Sequence, residues 1–443
     1  MPIDIISRVL YDGPEVIPGW EYVKVYGPVV AGLGALKYYC GGTTNTWERD
    51  MHGKVFIVTG GTSGMGARLV YELATKGAQI IMLVRSTEDA WVVDYIEEMR
   101  ESTNNGMIYA EECDLASLHS IRLFATKWLD NQPPRRLDGV LCCAAESIPI
   151  GKAKQVTKEG IERQLGINYF AHFHLLTLLG PSLRVQPPDR DVRVLLATCA
   201  SLALAEIDAT DLLWENRRYP SKQPWKLYGT SKLLLGLFAR EYQRQLMEYE
   251  RKDKAVCNVR INLINPGLMR TPSTRRFLSM GSVWGLILYV LMWPFWFLVL
   301  KSGVQGVQSF IFALSAPIFI KLTGGNVIQE CKIVTKVRKE MDDEELQKAV
   351  FQNTETIIAT LEKQAAIQRK RNEKASEAKM STKEKERRED VLVKPETPEE
   401  LEYKLNKLRS QIGISTSSGM PLFPGDSVLS QPAKSKKKTG KKN

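Results

Sequence analysis

Four glycines, at 60, 61, 64 and 66 of TGGTSGMG, separate a short apolar run from an amphipathic one. Glycine lets a backbone turn tightly and come close to a pyrophosphate, whose charge is favoured by the amides at a helix N-terminus. In that strand–turn–helix setting, Gly60, Thr62, Ser63, Gly64, Met65 and Gly66 read as the cradle of a dinucleotide. The end of the next apolar run decides which dinucleotide. An acid there would bond a ribose 2′-hydroxyl, and a cation would accept a 2′-phosphate. The chain offers Arg85 and Ser86 with no acid before Glu88, which favours NADP(H) over NAD(H). Asp114, followed by Leu115 in CDL, stands where it would meet an adenine; the alternative is a cap on the helix that follows.

A second constellation is YGTSK, with Tyr228 and Lys232 four residues apart. On a helix that spacing puts both side chains on one face. A phenol ionises at about pH 10, so an adjacent ammonium is needed to make it a proton donor and acceptor near neutrality. The pair is common by chance and becomes informative only downstream of a nucleotide-binding sheet.

The elements that would position these residues are legible from Gly53 onward. KVFIVTG (54–60), AQIIMLVR, MIYAEECDL, LDGVLCCAA and VRVLLATCA read as buried strands. Between them MGARLVYELATKG (65–77), WVVDYIEEMRES and LHSIRLFATKWLDN read as amphipathic helices. Continuous apolar strands with helical crossovers imply a parallel sheet covered on both faces. The expected class is therefore α/β, a Rossmann-like doubly wound sheet.

With these motifs in place, the chain resembles a short-chain dehydrogenase/reductase of the retinol-dehydrogenase-like branch, a fungal-type, membrane-associated member. The likeness runs from about Gly53 to Val334, through TGGTSGMG, CDLASL, INYFAHFHLLTLL, CASLA, YGTSK, INPGLMRT, KSGVQGVQSFIFAL and GGNVIQEC. The resemblance implies that Tyr228 is the general acid, and that Lys232 lowers its pKa and holds the nicotinamide ribose. It implies that Ser201 bonds the substrate carbonyl, with Thr198 a neighbouring alternative in register, and that Asn168 anchors a water for proton relay. Pro266, Gly267 and Thr271 would border the nicotinamide and pyrophosphate. One departure stands out: the family's Asn-Asn-Ala-Gly after the fourth strand is Cys142-Cys143-Ala144-Ala145 here. It removes side-chain amides and a glycine, and the two cysteines read as core packing rather than redox chemistry.

Outside the sheet, VWGLILYVLMWPFWFLVL (283–300) carries no charge, three tryptophans and Pro294. Its eighteen residues fall near the roughly 20 a spanning helix needs. A single crossing, however, would leave the last strand, GGNVIQEC, on the wrong side of a bilayer. A broken segment dipping into one leaflet, with Trp284, Trp293 and Trp296 near the headgroups, is expected; a dimer or lid helix is the alternative. VYGPVVAGLGAL (25–36), between Lys24 and Lys37, reads as an anchor or as a surface helix. The domains are then a 1–50 extension, a 51–335 catalytic domain and a 336–443 charged helical and disordered tail. In the tail, Leu346, Val350, Ile357, Ile358 and Leu361 form a partial stripe for a partner helix, or the helix is simply solvated.

Of the formal charge of +11, much lies in KSKKKTGKKN (434–443), which suits an anionic cytosolic leaflet and argues against a nucleic-acid face. Seven scattered cysteines and four histidines suggest neither a disulfide framework nor a metal site. The expected function is hydride transfer between NADP(H) and a carbonyl or alcohol of an apolar, lipid-, steroid- or retinoid-like substrate on the cytosolic face of the endoplasmic reticulum or a lipid droplet, or of the mitochondrial outer membrane. A homodimer fits the same reading. The rival is a low-activity scaffold that recruits partners through its tail.

Overall fold

The computed structural model describes residues 19–392, together with positions 9, 11, 13 and 15, and side chains as far as residue 374. Helix α1 (Trp20–Gly41) precedes the sheet, which begins with β1 (Val55–Thr59), α2 (Gly64–Thr75), β2 (Gln79–Val84), α3 (Ala90–Thr103) and β3 (Ile108–Glu112). Then come α4 (Leu118–Leu129), β4 (Gly139–Cys142), α5 (Ala171–Leu178), β5 (Val192–Ala197), α6 (Pro224–Glu248) and β6 (Val259–Asn265). Helices α7 (Pro272–Leu278), α8 (Val283–Leu291), α9 (Trp293–Val299) and α10 (Gly303–Ser315) lead to β7 (Val327–Gln329), β8 (Lys332–Val334) and α11 (Glu344–Leu392).

Among the described residues the strands form one sheet in the order β3-β2-β1-β4-β5-β6-β7-β8, parallel except for the antiparallel β7–β8 hairpin. The five strands and three helices read from the sequence are present with trimmed ends. Side chains alternate across each strand with a period of two. Ile57, Val140, Val194 and Ile261 enter one core with α4, α5 and α6. Phe56, Val58, Leu141 and Leu195 enter the other with α2, α3 and α10. The strand order reverses between β1 and β4, where Thr59 and Cys142 sit side by side at the carboxyl ends. In an open α/β sheet the ligand crevice lies outside that point.

The apolar run forms two helices of nine and seven residues, α8 and α9, broken at Met292 with Pro294 in the first turn of α9. Proline cannot donate to the preceding turn, so the run does not continue as one helix. Among the described residues no helix is long and apolar enough to cross a membrane, which corrects any reading of 25–36 or 283–300 as a transmembrane helix.

The compact unit that holds the sheet extends through Gln368, beyond the last strand. Val350, Phe351 and Ile358 of α11 are buried in the core that contains α5 and α6, with Leu346, Ile357 and Leu361 packed beside them. The stripe read from the sequence therefore has a partner, and it is the unit that holds the chain's own sheet. The end of the tail, including the lysine-rich 434–443 segment, lies outside the described residues.

Candidate nucleotide and proton-transfer site

The turn after β1 is built around glycine because no other residue fits. Gly60 and Gly64 have φ of +68° and +59°, in the left-handed region. A Cβ on Gly66 would lie 2.2 Å from the Gly60 carbonyl oxygen, and one on Gly60 would lie 2.8 Å from the Ala144 Cα. Ser63 begins α2, but its hydroxyl makes no capping bond, so the first amides of the helix are left for an external acceptor. Met65 packs on the core, while Thr62 is half-buried and Ser63 is exposed. A backbone cradle that any Cβ would fill, at the amide end of a helix, suits a pyrophosphate.

Arg85 leaves β2 into solvent with no hydrogen bond or ion pair among the described residues. Asp114 is occupied locally: its Oδ1 accepts from the Ala116 amide at 3.0 Å, and Lys158 Nζ is 3.0 Å from its Oδ2. The helix cap itself is Ser117, and Leu115 packs against the core.

Past β4, the departure at residues 142–145 has an account. Burial holds the Cys143 thiol at about 12 and pushes Cys142 up further, so both stay protonated and act as packing. The Ala144 amide donates to Thr59 Oγ1 at 3.2 Å, and Thr59 Oγ1 meets His172 Nε2 at 3.1 Å. His172 Nδ1 lies 3.1 Å from the Asn168 carbonyl oxygen. One tautomer satisfies all three contacts, with Nδ1–H donating to Asn168 and Nε2 accepting from Thr59. Burial lowers the His172 pKa to about 4, in keeping with a neutral ring. This chain tethers the β4 end where side-chain amides are missing.

Asn168 lies in a π-helical turn, Gly166–Phe170, that leads into α5. Its Oδ1 accepts from the Glu146 amide at 2.7 Å, and its Nδ2 donates to the Glu146 carbonyl at 3.0 Å and to Ser231 Oγ at 3.2 Å. Ser231 in turn donates to the Tyr228 carbonyl at 2.7 Å. Asn168 thus fastens the loop after β4 to the tyrosine-bearing helix.

Tyr228 and Lys232 share one face of α6, with Lys232 Nζ 5.5 Å from the Tyr228 ring centroid. The ammonium is buried and donates to the Ala197 carbonyl at the end of β5, at 2.9 Å. Burial, with Cys199 nearby, raises the Tyr228 phenol above its ordinary value, and burial lowers Lys232. The lowering of the phenol expected from Lys232 is not found, and desolvation sets the direction.

Ser201 sits on a 3-10 turn, Ala200–Leu204, pressed against α6 beside the tyrosine: a Cβ on Gly229 would lie 2.2 Å from its carbonyl oxygen. Its hydroxyl meets Cys199 Sγ at 2.6 Å. Thr198, the neighbour in register, is buried with its hydroxyl unpartnered, whereas Ser201 is half-exposed.

The loop after β6 closes the crevice. Thr271 caps α7, and its Cβ stands 3.4 Å from where a Gly64 side chain would begin. Pro266 and Gly267 precede it, Gly267 at φ +80° with Lys301 Nζ against it. Lys301 forms an ion pair with Glu330, which also accepts from the Thr43 amide at 2.9 Å. The site therefore draws together the residues singled out from the sequence except Arg85, Asp114 and Leu115, which stand farther along the sheet edge past the ends of β2 and β3. Sequence reasoning passed over Thr59, His172, Ser231 and the Lys301–Glu330 pair. All of them stand inside motifs quoted from the sequence (Thr59 in TGGTSGMG, His172 in INYFAHF, Ser231 in YGTSK, Lys301 in KSGVQGVQSFIFAL and Glu330 in GGNVIQEC), but local spacing alone gave them no role.

Residues 54–190 match the family model described as short chain dehydrogenase. The chain is 45% identical to an uncharacterised oxidoreductase of Saccharomyces cerevisiae over 88% of this chain and 100% of that one. It is 32% identical to mouse retinol dehydrogenase 13 over 65% of this chain and 78% of that one. A crystal structure of an uncharacterised protein from Mycobacterium paratuberculosis, 24% identical, aligns with 72% of this chain and 98% of its own length at a TM-score of 0.52, which bears on the fold alone.

Proposed function

The chain belongs to the short-chain dehydrogenase/reductase family, whose fold binds a nicotinamide cofactor, and from that premise we propose an NADP(H)-dependent oxidoreductase acting on the carbonyl or alcohol of an apolar substrate at a membrane surface. The observation that carries this reading is Tyr228 and Lys232 on one face of α6, with the Ser201 turn packed beside them at the carboxyl edge of the sheet. Gly60, Thr62, Ser63, Gly64, Met65 and Gly66 would hold the pyrophosphate. Arg85 would meet the 2′-phosphate, Asp114 and Leu115 the adenine, and Pro266, Gly267 and Thr271 the nicotinamide end.

When bound, the nicotinamide supplies hydride to the carbonyl carbon or takes it from the alcohol. Ser201 Oγ donates a hydrogen bond to the substrate oxygen. Tyr228 delivers its phenolic proton to that oxygen, and the Lys232 ammonium, held on Ala197, stabilises the phenolate left behind. Asn168 keeps α6 and the loop after β4 in register.

The apolar substrate and the membrane rest on α8 and α9, which follow the cofactor loop after the short helix α7. Trp284 is 82% exposed and Leu291 73%, and α1 adds Val30 at 66%. These helices adjoin: Lys37 Nζ of α1 donates to the Phe297 carbonyl of α9 at 2.5 Å and stands over its ring. Contiguous exposed apolar surface beside a crevice is what a lipid-facing substrate entrance requires.

The test is calorimetric titration of the full chain with NADPH and NADH, followed by turnover of apolar aldehydes and ketones. Tight NADPH binding, weaker NADH binding, and carbonyl reduction lost by about a thousandfold in Tyr228→Phe are expected. No binding of either dinucleotide would sink the proposal and favour a scaffold.

A further inference from the structure

The segment after β8 does more than pack. The 3-10 turn that bears Ser201 ends in carbonyls with no partner in the sheet, and Arg338 meets them. Its Nη1 donates to the Leu202 carbonyl at 2.9 Å and the Ala205 carbonyl at 2.8 Å, with Ala203 at 3.4 Å. Its Nη2 donates to Glu340 at 2.7 Å, which fixes the plane of the guanidinium. The Leu202 carbonyl also accepts from the Ala205 amide at 3.2 Å, so its second lone pair and the Ala205 carbonyl face the cation, and a planar fork serves several acceptors at once.

The same stretch also grips the helix that bears Tyr228 and Lys232. Met341 fills the space a side chain on Gly236 would need, and Arg240 donates to the Met341 carbonyl at 2.6 Å. Ten residues later Phe351 lies against Phe173 and Phe238, with ring centroids 4.9 and 6.1 Å away. The two elements that must present a hydroxyl and a phenol to one oxygen are thus spanned by a single strap, residues 338–351.

We infer that Arg338 is a positioning residue: by clamping the carbonyls of the 202–205 turn, it holds Ser201 in register with Tyr228 across the strap. The inference rests on the proposed oxidoreductase reading for its effect on rate, but the clamp can be read without turnover.

The experiment compares full-length Arg338→Ala and Arg338→Lys with the unaltered chain, and uses Arg122→Ala as a control. Arg122 bonds Glu362 farther along α11, so its loss loosens the same helix away from the clamp. Three readouts are taken: kcat and KM for an apolar aldehyde with NADPH, NADPH affinity by calorimetry, and amide hydrogen exchange over 198–210. Arg338→Ala should lower kcat about tenfold, as a small misplacement of a reacting group does, with NADPH affinity within about twofold. Exchange should rise at 200–210 only. Arg338→Lys, which keeps a donor, should recover part of the rate, and Arg122→Ala should leave kcat within about twofold. Unchanged kcat with raised exchange, or a parallel fall in NADPH affinity and melting temperature, would overturn the inference. Should the unaltered chain reduce no carbonyl, the oxidoreductase reading fails by itself. Exchange then decides the clamp: a rise confined to 200–210 supports it and no rise overturns it.

Discussion

At the scale of single residues, charge and burial set the chemistry. Arg85 is exposed and without a partner among the described residues, so its guanidinium is available to a 2′-phosphate at no cost in lost pairs. Arg85→Ala should weaken NADPH by about tenfold, the worth of one partly solvated charge-assisted bond, and leave NADH unchanged. Equal losses for both dinucleotides in calorimetry would remove Arg85 from the 2′-phosphate. His172 makes the opposite point. Buried and neutral, it has a folded pKa of about 4, below its ordinary value near 6.5, so between those values the unfolded chain binds the extra proton. Its contribution is therefore complete above about pH 6.5 and is lost as pH falls toward 4, by up to about 3 kcal/mol. Denaturant unfolding at pH 7 and pH 5 should show that slope, and His172→Gln should flatten it while costing stability at pH 7.

At the scale of elements, the glycine turn is the least tolerant piece. A Cβ at Gly66 meets a backbone carbonyl at 2.2 Å, which no side-chain rotation relieves. Gly66→Ala should shift α2 against β1, abolish dinucleotide binding in calorimetry and lower the melting temperature by several degrees, for a strain of about 1–3 kcal/mol. Retained binding would mean that the cradle flexes. The π-helical turn at Gly166–Phe170 belongs to the same scale. It sets Asn168 between the β4 loop and Ser231, so that β4, α5 and α6 move together or not at all.

At the scale of the whole molecule, the densest runs of exposed apolar side chains among the described residues lie on α1, α8 and α9. Trp284, Leu291 and Val30 would remain in water unless something covers them. Sedimentation with neutral phosphatidylcholine vesicles should retain the full chain, and Trp284→Glu with Leu291→Glu should reduce binding at least about tenfold. Removing residues 434–443 should matter only when the vesicles carry anionic lipid, and less as salt rises. Undiminished vesicle binding by the double variant would place the contact elsewhere.

The sequence by itself determined the strands, the glycine cradle, the Tyr228–Lys232 pair and the break at Pro294, because each rests on local periodicity or on a residue's own backbone limits. It could not show what closes the β4 end in place of the missing amides, since Thr59, His172 and Asn168 meet only when β1 and α5 pack together. It left the stripe on α11 without a partner, because that partner is formed by α5 and α6 after folding. The sign of the Tyr228 shift was likewise a tertiary matter. Spacing puts an ammonium on the same face, but how far the phenol is stripped of water depends on the fold around it, with Cys199 nearby.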